Sequence, residues 1–350
     1  MYNRRKTRVV HFAEQPVGGD NPVSVQSMCN TKTENIEATV SQIKELESVG
    51  CEIIRVAVPD QQAAEAISEI KKKINIPLVA DIHFDHQLAL MAVENGVDAL
   101  RINPGNIGSD QKVKEVALAC KNNNIPIRVG SNSGSIEKEL LAKYGGPTAE
   151  AMVESALRNV RILEENNFKQ IVISLKSSKI STTIKAYRLM SQKLDYPFHI
   201  GITESGTPWR GTIKSAAGIA SLLTQGFGDT LRVSLTGDPV EEVRVGWQIL
   251  KSLELRKKGV EIISCPTCGR TNIDLIDLAE RVEKELMKID KDITVAVMGC
   301  AVNGPGEAKE ADIGVAGGIE EGLIFKNGEI IKKVKEDQLL TELMNEINKL

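Results

Sequence analysis

The chain has 350 residues, 41% of them hydrophobic and 26% charged, with a formal net charge of −3; this is the length and composition of about two globular domains. The charge argues against nucleic-acid binding, which shows as a basic excess, and no apolar run approaches the ~20 residues needed to cross a bilayer. The start, Met1-Tyr-Asn-Arg-Arg-Lys-Thr-Arg-Val-Val-His11, is basic but lacks the apolar core of a signal peptide, so the expectation is a cytoplasmic protein with reduced thiols.

Up to residue 255 one unit recurs: a short β-branched run, then an amphipathic helical stretch. In chain order the strand-like runs are residues 23–28, 53–58, 77–83, 99–103, 126–130, 170–176, 198–203 and 230–235. Helix-like stretches separate them, for example 34–49, 61–73, 150–166 and 240–253. Strands alternating with helices pair in parallel, and eight such units predict an α/β fold of the (β/α)8 TIM-barrel type over residues 1–255. An open doubly wound sheet is the alternative, but it wants a Gly-rich turn after its first strand, whereas Gly18-Gly19 precedes that strand.

Leu255-Arg-Lys-Lys-Gly259 breaks the rhythm. Beyond it the pattern predicts a small α+β domain over residues 260–350: strand 260–264, helix 275–289, strand 294–298, a Gly/Pro loop, strand 312–316, a hairpin over 322–331 and a helix over 336–350. Asn327-Gly328 is the two-residue turn signal of that hairpin.

Four of the barrel strands carry Arg between two aliphatic residues: Ile54-Arg55-Val56, Leu100-Arg101-Ile102, Ile127-Arg128-Val129 and Leu231-Arg232-Val233; Lys176 ends a fifth. Successive strand residues point to opposite faces, so these cations should face the barrel interior. One buried Arg is ordinarily neutralised by a structural carboxylate, because an unpaired buried charge costs several kcal/mol (roughly, after relaxation). Four Arg and a Lys at matched positions, against Asp81 and Glu204 as the clearest strand-end acids, leave positive charge over. A diphosphate would satisfy their forks bidentately, and Asn132 and Ser234 stand where neutral donors could complete the cage. Glu204, after the seventh strand, is a candidate proton donor or a balancing charge. Asp81 and His83 share a face at i, i+2 and could relay protons, while His11, His86 and His199 read as structural or solvated.

The second domain carries Cys265-Pro-Thr-Cys268 and, in Met298-Gly-Cys-Ala-Val-Asn-Gly-Pro-Gly-Glu307, Cys300. Three thiolates in one small domain point to a metal or iron–sulfur site. Zinc remains an alternative, but no His follows His199, so a Cys3His zinc set is unavailable. The nearby fourth candidate is an oxygen ligand, Glu307, and that harder donor favours iron–sulfur. Cys51 and Cys120 read as small core hydrophobes; Cys29, beside Met28 at the end of the first strand, is less easily placed there.

The motifs Asn21-Pro-Val-Ser-Val-Gln-Ser-Met28, Leu100-Arg-Ile-Asn-Pro-Gly-Asn106, Arg128-Val-Gly-Ser-Asn-Ser-Gly134, Ser264-Cys-Pro-Thr-Cys-Gly-Arg270 and Gly299-Cys-Ala-Val-Asn-Gly-Pro-Gly-Glu307 resemble those of the 4-hydroxy-3-methylbut-2-enyl diphosphate synthase family in its short, two-domain bacterial form. The family consists of oxidoreductases of the methylerythritol phosphate route to isoprenoids. The resemblance implies a [4Fe–4S] cluster held by Cys265, Cys268, Cys300 and Glu307. It also implies binding of 2-C-methyl-D-erythritol 2,4-cyclodiphosphate by Arg55, Arg101, Arg128, Asn132, Lys176, Arg232, Ser234 and Asn303. Glu204, Glu307, Asp81 and His83 would serve the chemistry, with flavodoxin or ferredoxin as electron donor and a homodimer that shares its active sites between chains. Cys29 stands where many members carry Thr.

Overall fold

The computed structural model describes residues 3–102, 107, 109–301, 308–319 and 321–350. It divides into two compact units, Met1–Arg256 and Lys257–Leu350.

The first unit opens with an antiparallel hairpin of β1 (Val9–Phe12) and β2 (Gln15–Gly18). Eight strands follow: β3 (Ser24–Met28), β4 (Ile53–Ala57), β5 (Leu78–Asp81), β6 (Ala99–Ile102), β7 (Ile127–Asn132), β8 (Ile171–Lys176), β9 (His199–Ile200) and β10 (Thr230–Leu231). They lie side by side in the order β8-β7-β6-β5-β4-β3-β10-β9, and a parallel bridge from Ile173 to Phe198 joins the two ends. The sheet is thereby a closed parallel barrel, as the strand count predicts. Helices return the chain between strands, among them α1 (Ile36–Ser48), α2 (Gln61–Lys71) and α3 (His86–Glu94). After these come α4 (Asp110–Asn122), α5 (Lys138–Tyr144), α6 (Ala149–Glu165), α7 (Ile180–Ser191), α8 (Pro208–Leu223) and α9 (Pro239–Ser252). Side-chain oxygens of Asn35, Asp60, Thr148 and Asp238 accept from the first-turn amides of α1, α2, α6 and α9, each cap satisfying a donor the helix cannot.

Strand alternation sorts the barrel into two faces. Ile54 and Val56 of β4, for example, join the large core under the helices, while Ile53 joins Val79, Ala99 and Val172 inside the barrel at its N-terminal end. Val10, Phe12 and Val17 of the hairpin belong to that same inner cluster, so the hairpin closes the bottom of the barrel with apolar side chains. Sequence reasoning misses this hairpin because its turn residue Ala13 takes φ +48° without the Gly or Asn that ordinarily marks such a turn. A further short helix, Lys138–Tyr144, precedes α6 between β7 and β8.

Two expected strands shrink. The runs at 198–203 and 230–235 form regular ladder only at His199–Ile200 and Thr230–Leu231. Just beyond, Arg232 N still donates to Ile200 O at 3.0 Å. A Cβ on Gly201 would lie 2.5 Å from the Arg232 carbonyl oxygen, so the two backbones pack more closely than a regular ladder allows any residue but glycine.

The second unit is a five-stranded sheet in the order β11 (Glu261–Ser264), β12 (Thr294–Met298), β13 (Ile313–Ala316), β14 (Glu321–Lys326) and β15 (Glu329–Lys335). The first three strands are parallel and the rest antiparallel. Its hairpin turns at Asn327 and Gly328, both at positive φ (49° and 80°), as a type I′ turn requires. Helices α10 (Leu275–Leu286) and α11 (Leu339–Asn348) bury Leu278, Val282, Leu343 and Ile347 with Val295, Val297 and Ile313. Ala296, Met298 and Phe325 form a smaller cluster with Ala308, Ala311 and Ala316. No helix among the described residues is long and apolar enough to cross a membrane.

Candidate active site: a cation cage in the barrel and cysteines at strand ends

Above the apolar floor, the inward row of the barrel is charged. Arg55, Arg101 and Arg128 project from β4, β6 and β7, Lys176 ends β8, and Arg232 follows β10. Their aliphatic neighbours along each strand lie in the outer core. Catalytic and binding groups of such barrels gather at the C-terminal strand ends.

Asp81, at the end of β5, is the hub. Its carboxylate lies 3.1 Å from Arg101 Nη1, 3.7 Å from Arg55 Nε and 3.6 Å from His83 Nε2. Burial alone would push its pKa up; Arg55, the His83 hydrogen bond and Arg101 together outweigh that and hold the carboxyl well below the usual range. Glu242, on α9, pairs with Arg232 at 3.4 Å and accepts from Leu235 N at 2.8 Å. The Met28 sulfur accepts from Arg55 Nη2 at 2.8 Å and lies 3.7 Å from Arg232 Nη1.

Two cations have no carboxylate in contact among the described residues. Arg128 is 1% exposed; its Nη1 donates to Gln26 Oε1 at 2.5 Å, while its Nε and Nη2 have no partner among the described residues. Lys176 Nζ lies 3.1 Å from His199 Nε2, and His199 Nδ1 lies 2.8 Å from Thr230 Oγ1. Burial first, and the neighbouring cations second, lower Arg128 and Lys176 well below their ordinary values. Burial likewise lowers Arg55 to about 10, with Asp81 opposing and Arg232 and Arg101 reinforcing the fall. Five cations thus meet two contacting carboxylates among the described residues. Such a surplus costs several kcal/mol (roughly) in a dry site unless an anion enters.

Glycines make room for these long side chains. A Cβ on Gly130 would lie 3.0 Å from Arg101 Nε and Nη2, and one on Gly201 would lie 3.0 Å from Lys176 Nζ.

Of the other expected site residues, Asn132 is the half-buried last residue of β7, and half-buried Ser234 lies two residues after Arg232. The His83 side chain is 56% exposed. Glu204 is exposed after β9 with φ +52°, and its carbonyl accepts from Lys214 Nζ at 3.1 Å. Asn303 and Glu307 lie outside the described residues. Gln26, Met28, His199 and Glu242 were not anticipated as cage residues. Gln26 and Met28 alternate with the outward Val25 of β3, a signal as legible as the Arg pattern; His199 is fully buried, the structural of its two expected alternatives. His11 is exposed and His86 half-buried near Asp85 and Glu115.

In the second unit, Cys265 follows β11 and Cys300 lies two residues after β12, the adjacent parallel strand. Gly299 N donates to Cys265 Sγ at 3.3 Å, tying the two strand ends together. Cys300 is buried, Cys265 half-buried and Cys268 exposed. Hydrogen bonds from Arg270 lower the Cys268 pKa, favouring the thiolate, which is the form that binds metals. Among the described residues no three His, Cys, Asp or Glu side chains are gathered to hold a metal ion. The donor chemistry of the three cysteines fits a thiolate-ligated group, and Glu307, the expected oxygen ligand, is outside the described residues. Cys29, Cys51 and Cys120 lie in the barrel's outer core, and burial pushes the thiols of Cys29 and Cys51 up to about 12.

Comparison with known proteins fits this architecture. The fold resembles dihydropteroate synthase from Stenotrophomonas maltophilia (TM-score 0.52, 14% identity, over 71% of this chain and 98% of that one). It also resembles N-acetylneuraminic acid synthetase from Leptospira borgpetersenii (TM-score 0.51, 12% identity, 72% and 92%). At such identities the likeness concerns the barrel fold alone. Curated relatives cover the whole chain. One from Clostridium perfringens is 64% identical over 98% of both chains, and one from Caldanaerobacter subterraneus is 62% identical over 99% of this chain and 98% of the other. Both are named 4-hydroxy-3-methylbut-2-en-1-yl diphosphate synthase (flavodoxin). The family description "GcpE TIM-barrel domain" matches residues 7–247 and "GcpE protein C-terminal domain" matches residues 261–349. This chain, with its cation-lined barrel and cysteine-bearing second unit, belongs to the GcpE family.

Proposed function

We propose that the protein catalyses the reductive ring opening and dehydroxylation of 2-C-methyl-D-erythritol 2,4-cyclodiphosphate to 4-hydroxy-3-methylbut-2-enyl diphosphate, as a cytoplasmic enzyme of isoprenoid precursor synthesis. The observation that carries this reading is the cage: five inward cations with two contacting carboxylates among the described residues, in a chain of a family whose relatives are named for a diphosphate product. The barrel, residues 1–255, would bind the cyclodiphosphate, and residues 260–350 would carry the redox group.

Arg55, Arg101, Arg128, Lys176 and Arg232 grip the diphosphate, with Asn132, Ser234 and Asn303 as neutral donors. Being already in place, they offset the charge that develops on the leaving diphosphate without reorganising. A proton must accompany the departing hydroxyl. Asp81 is held ionised by its cations and serves to balance charge and orient His83, which leaves His83 and Glu204 to deliver it. A [4Fe–4S] cluster, when held by Cys265, Cys268, Cys300 and Glu307, would supply electrons one at a time and a Lewis-acidic iron. Flavodoxin, which the relatives' names carry, is the favoured donor, with ferredoxin as the alternative. A homodimer with active sites shared between chains completes the proposal.

Anaerobic reconstitution with iron and sulfide, followed by incubation with the cyclodiphosphate and a reductant, tests the reading. The expected result is a brown protein containing acid-labile sulfide that yields the linear diphosphate. A reconstituted protein with labile sulfide and no such product would reject it.

A further inference from the structure

The cations of the cage are held in two different ways. Arg55 and Arg101 share Asp81, and Arg232 contacts Glu242. Arg128 and Lys176 are held by neutral acceptors instead, Gln26 Oε1 and His199 Nε2. The acceptor atoms follow from the donors: guanidinium and ammonium groups can only donate, so the oxygen of Gln26 and the bare nitrogen of His199 must face them. With Lys176 charged, His199 Nδ1 carries the ring proton toward Thr230 Oγ1, 2.8 Å away.

We propose that Gln26 is a positioning residue that aims Arg128 at the substrate diphosphate while leaving its charge uncompensated, and that His199 does the same for Lys176. The proposal rests on the reading of the cage as a diphosphate site. Gln26 is 2% exposed and comes from a strand 102 residues away from Arg128 in sequence. For stability alone, Glu would suit this position better. It has nearly the same shape, would neutralise a fully buried guanidinium, and would remove the Gln26 Nε2 that now lacks a partner. The amide keeps Arg128 oriented but leaves its Nε and Nη2 unpaired among the described residues, an open fork of the geometry that binds a phosphate bidentately. Fold stability is thereby given up for anion affinity, a common balance at functional sites. His199 is itself kept neutral, with burial, then Arg128 and Lys176, lowering its pKa.

The test is Gln26→Glu in the reconstituted full chain, beside Gln26→Leu. Three quantities are measured: the thermal midpoint, the rise in midpoint produced by inorganic pyrophosphate, and KM and kcat with the cyclodiphosphate. Gln26→Glu should raise the midpoint by about 3 °C or more and raise KM at least about tenfold, with a smaller change in kcat. It should also shrink the pyrophosphate-induced rise. Gln26→Leu, which strips Arg128 of the Gln26 acceptor, should lower the midpoint and raise KM. A purely structural Gln26 would move stability and affinity in the same direction in both variants, and that pattern overturns the proposal. So does a Gln26→Glu protein that is less stable or does not fold, because Arg128 would then not be short of negative charge. Unchanged KM and pyrophosphate response in Gln26→Glu overturns it too. If the wild type responds to pyrophosphate in a Gln26-dependent way but does not turn over the cyclodiphosphate, the proposed function fails while the positioning role stands.

Discussion

At the scale of single residues, the barrel interior is a balance between burial and charge. Lys176 is 8% exposed and its ammonium contacts an imidazole rather than a carboxylate, so the folded state holds its proton less tightly than the unfolded chain does. A base with a lowered folded pKa destabilises the fold while it is charged. That penalty is relieved as pH rises toward the unfolded lysine value of about 10.4. Lys176→Met should therefore be more stable than wild type by about 1–3 kcal/mol at neutral pH. The advantage should shrink as pH climbs toward 10, and diphosphate affinity should be lost at all pH values. Denaturant titrations of both proteins across pH read this directly; a stability difference flat in pH would refute the assignment. Asp81 contributes with the opposite sign. Its depressed pKa stabilises the fold above the unfolded carboxyl value, and that effect is lost progressively as pH falls from there through the lower, folded one.

At the scale of elements, stability and function occupy opposite ends of the same strands. Ile53 and Arg55 both point inward from β4, two residues apart. Ile53 packs on the hairpin at the floor, and Arg55 meets Asp81 in the cage. Phe12, 2% exposed, is the largest hairpin side chain in that floor. Phe12→Ala should cost about 3–5 kcal/mol of stability with KM changed less than about twofold, because the floor makes no contact with substrate in this reading. Chemical unfolding and steady-state kinetics separate the two effects, and a large KM change would mean that the floor sets the cage geometry. The hairpin was hidden in the sequence, where two four-residue strands around Ala13-Glu14 carry no turn signature. The eight barrel strands were legible because each is a β-branched run followed by an amphipathic helix.

At the scale of the whole molecule, a net charge of −3 averages over a strongly positive barrel interior, whose pairing the spatial arrangement reveals. The two units have separate hydrophobic cores, with the cage residues in one and Cys265, Cys268 and Cys300 in the other. If active sites are shared between chains, as proposed, mixing a Cys265→Ser chain with a Glu204→Gln chain should restore part of the activity that each lacks alone. Zero recovery from verified mixed dimers would instead place each complete site within one chain.

The sequence by itself determined the barrel, the inward Arg rows and the three cysteines of the second unit. Each of these is written in local periodicity or short spacing, which the backbone enforces residue by residue. Tertiary structure alone decided which groups meet. Arg128 finds Gln26 across 102 residues, Arg232 approaches Met28 across 204, and Lys176 meets His199 across 23. Period-two alternation says that a side chain points inward, but not at what height it stands or which strand faces it. Those depend on strand stagger and on the closure of the sheet, and hence on the packing of the whole barrel at once.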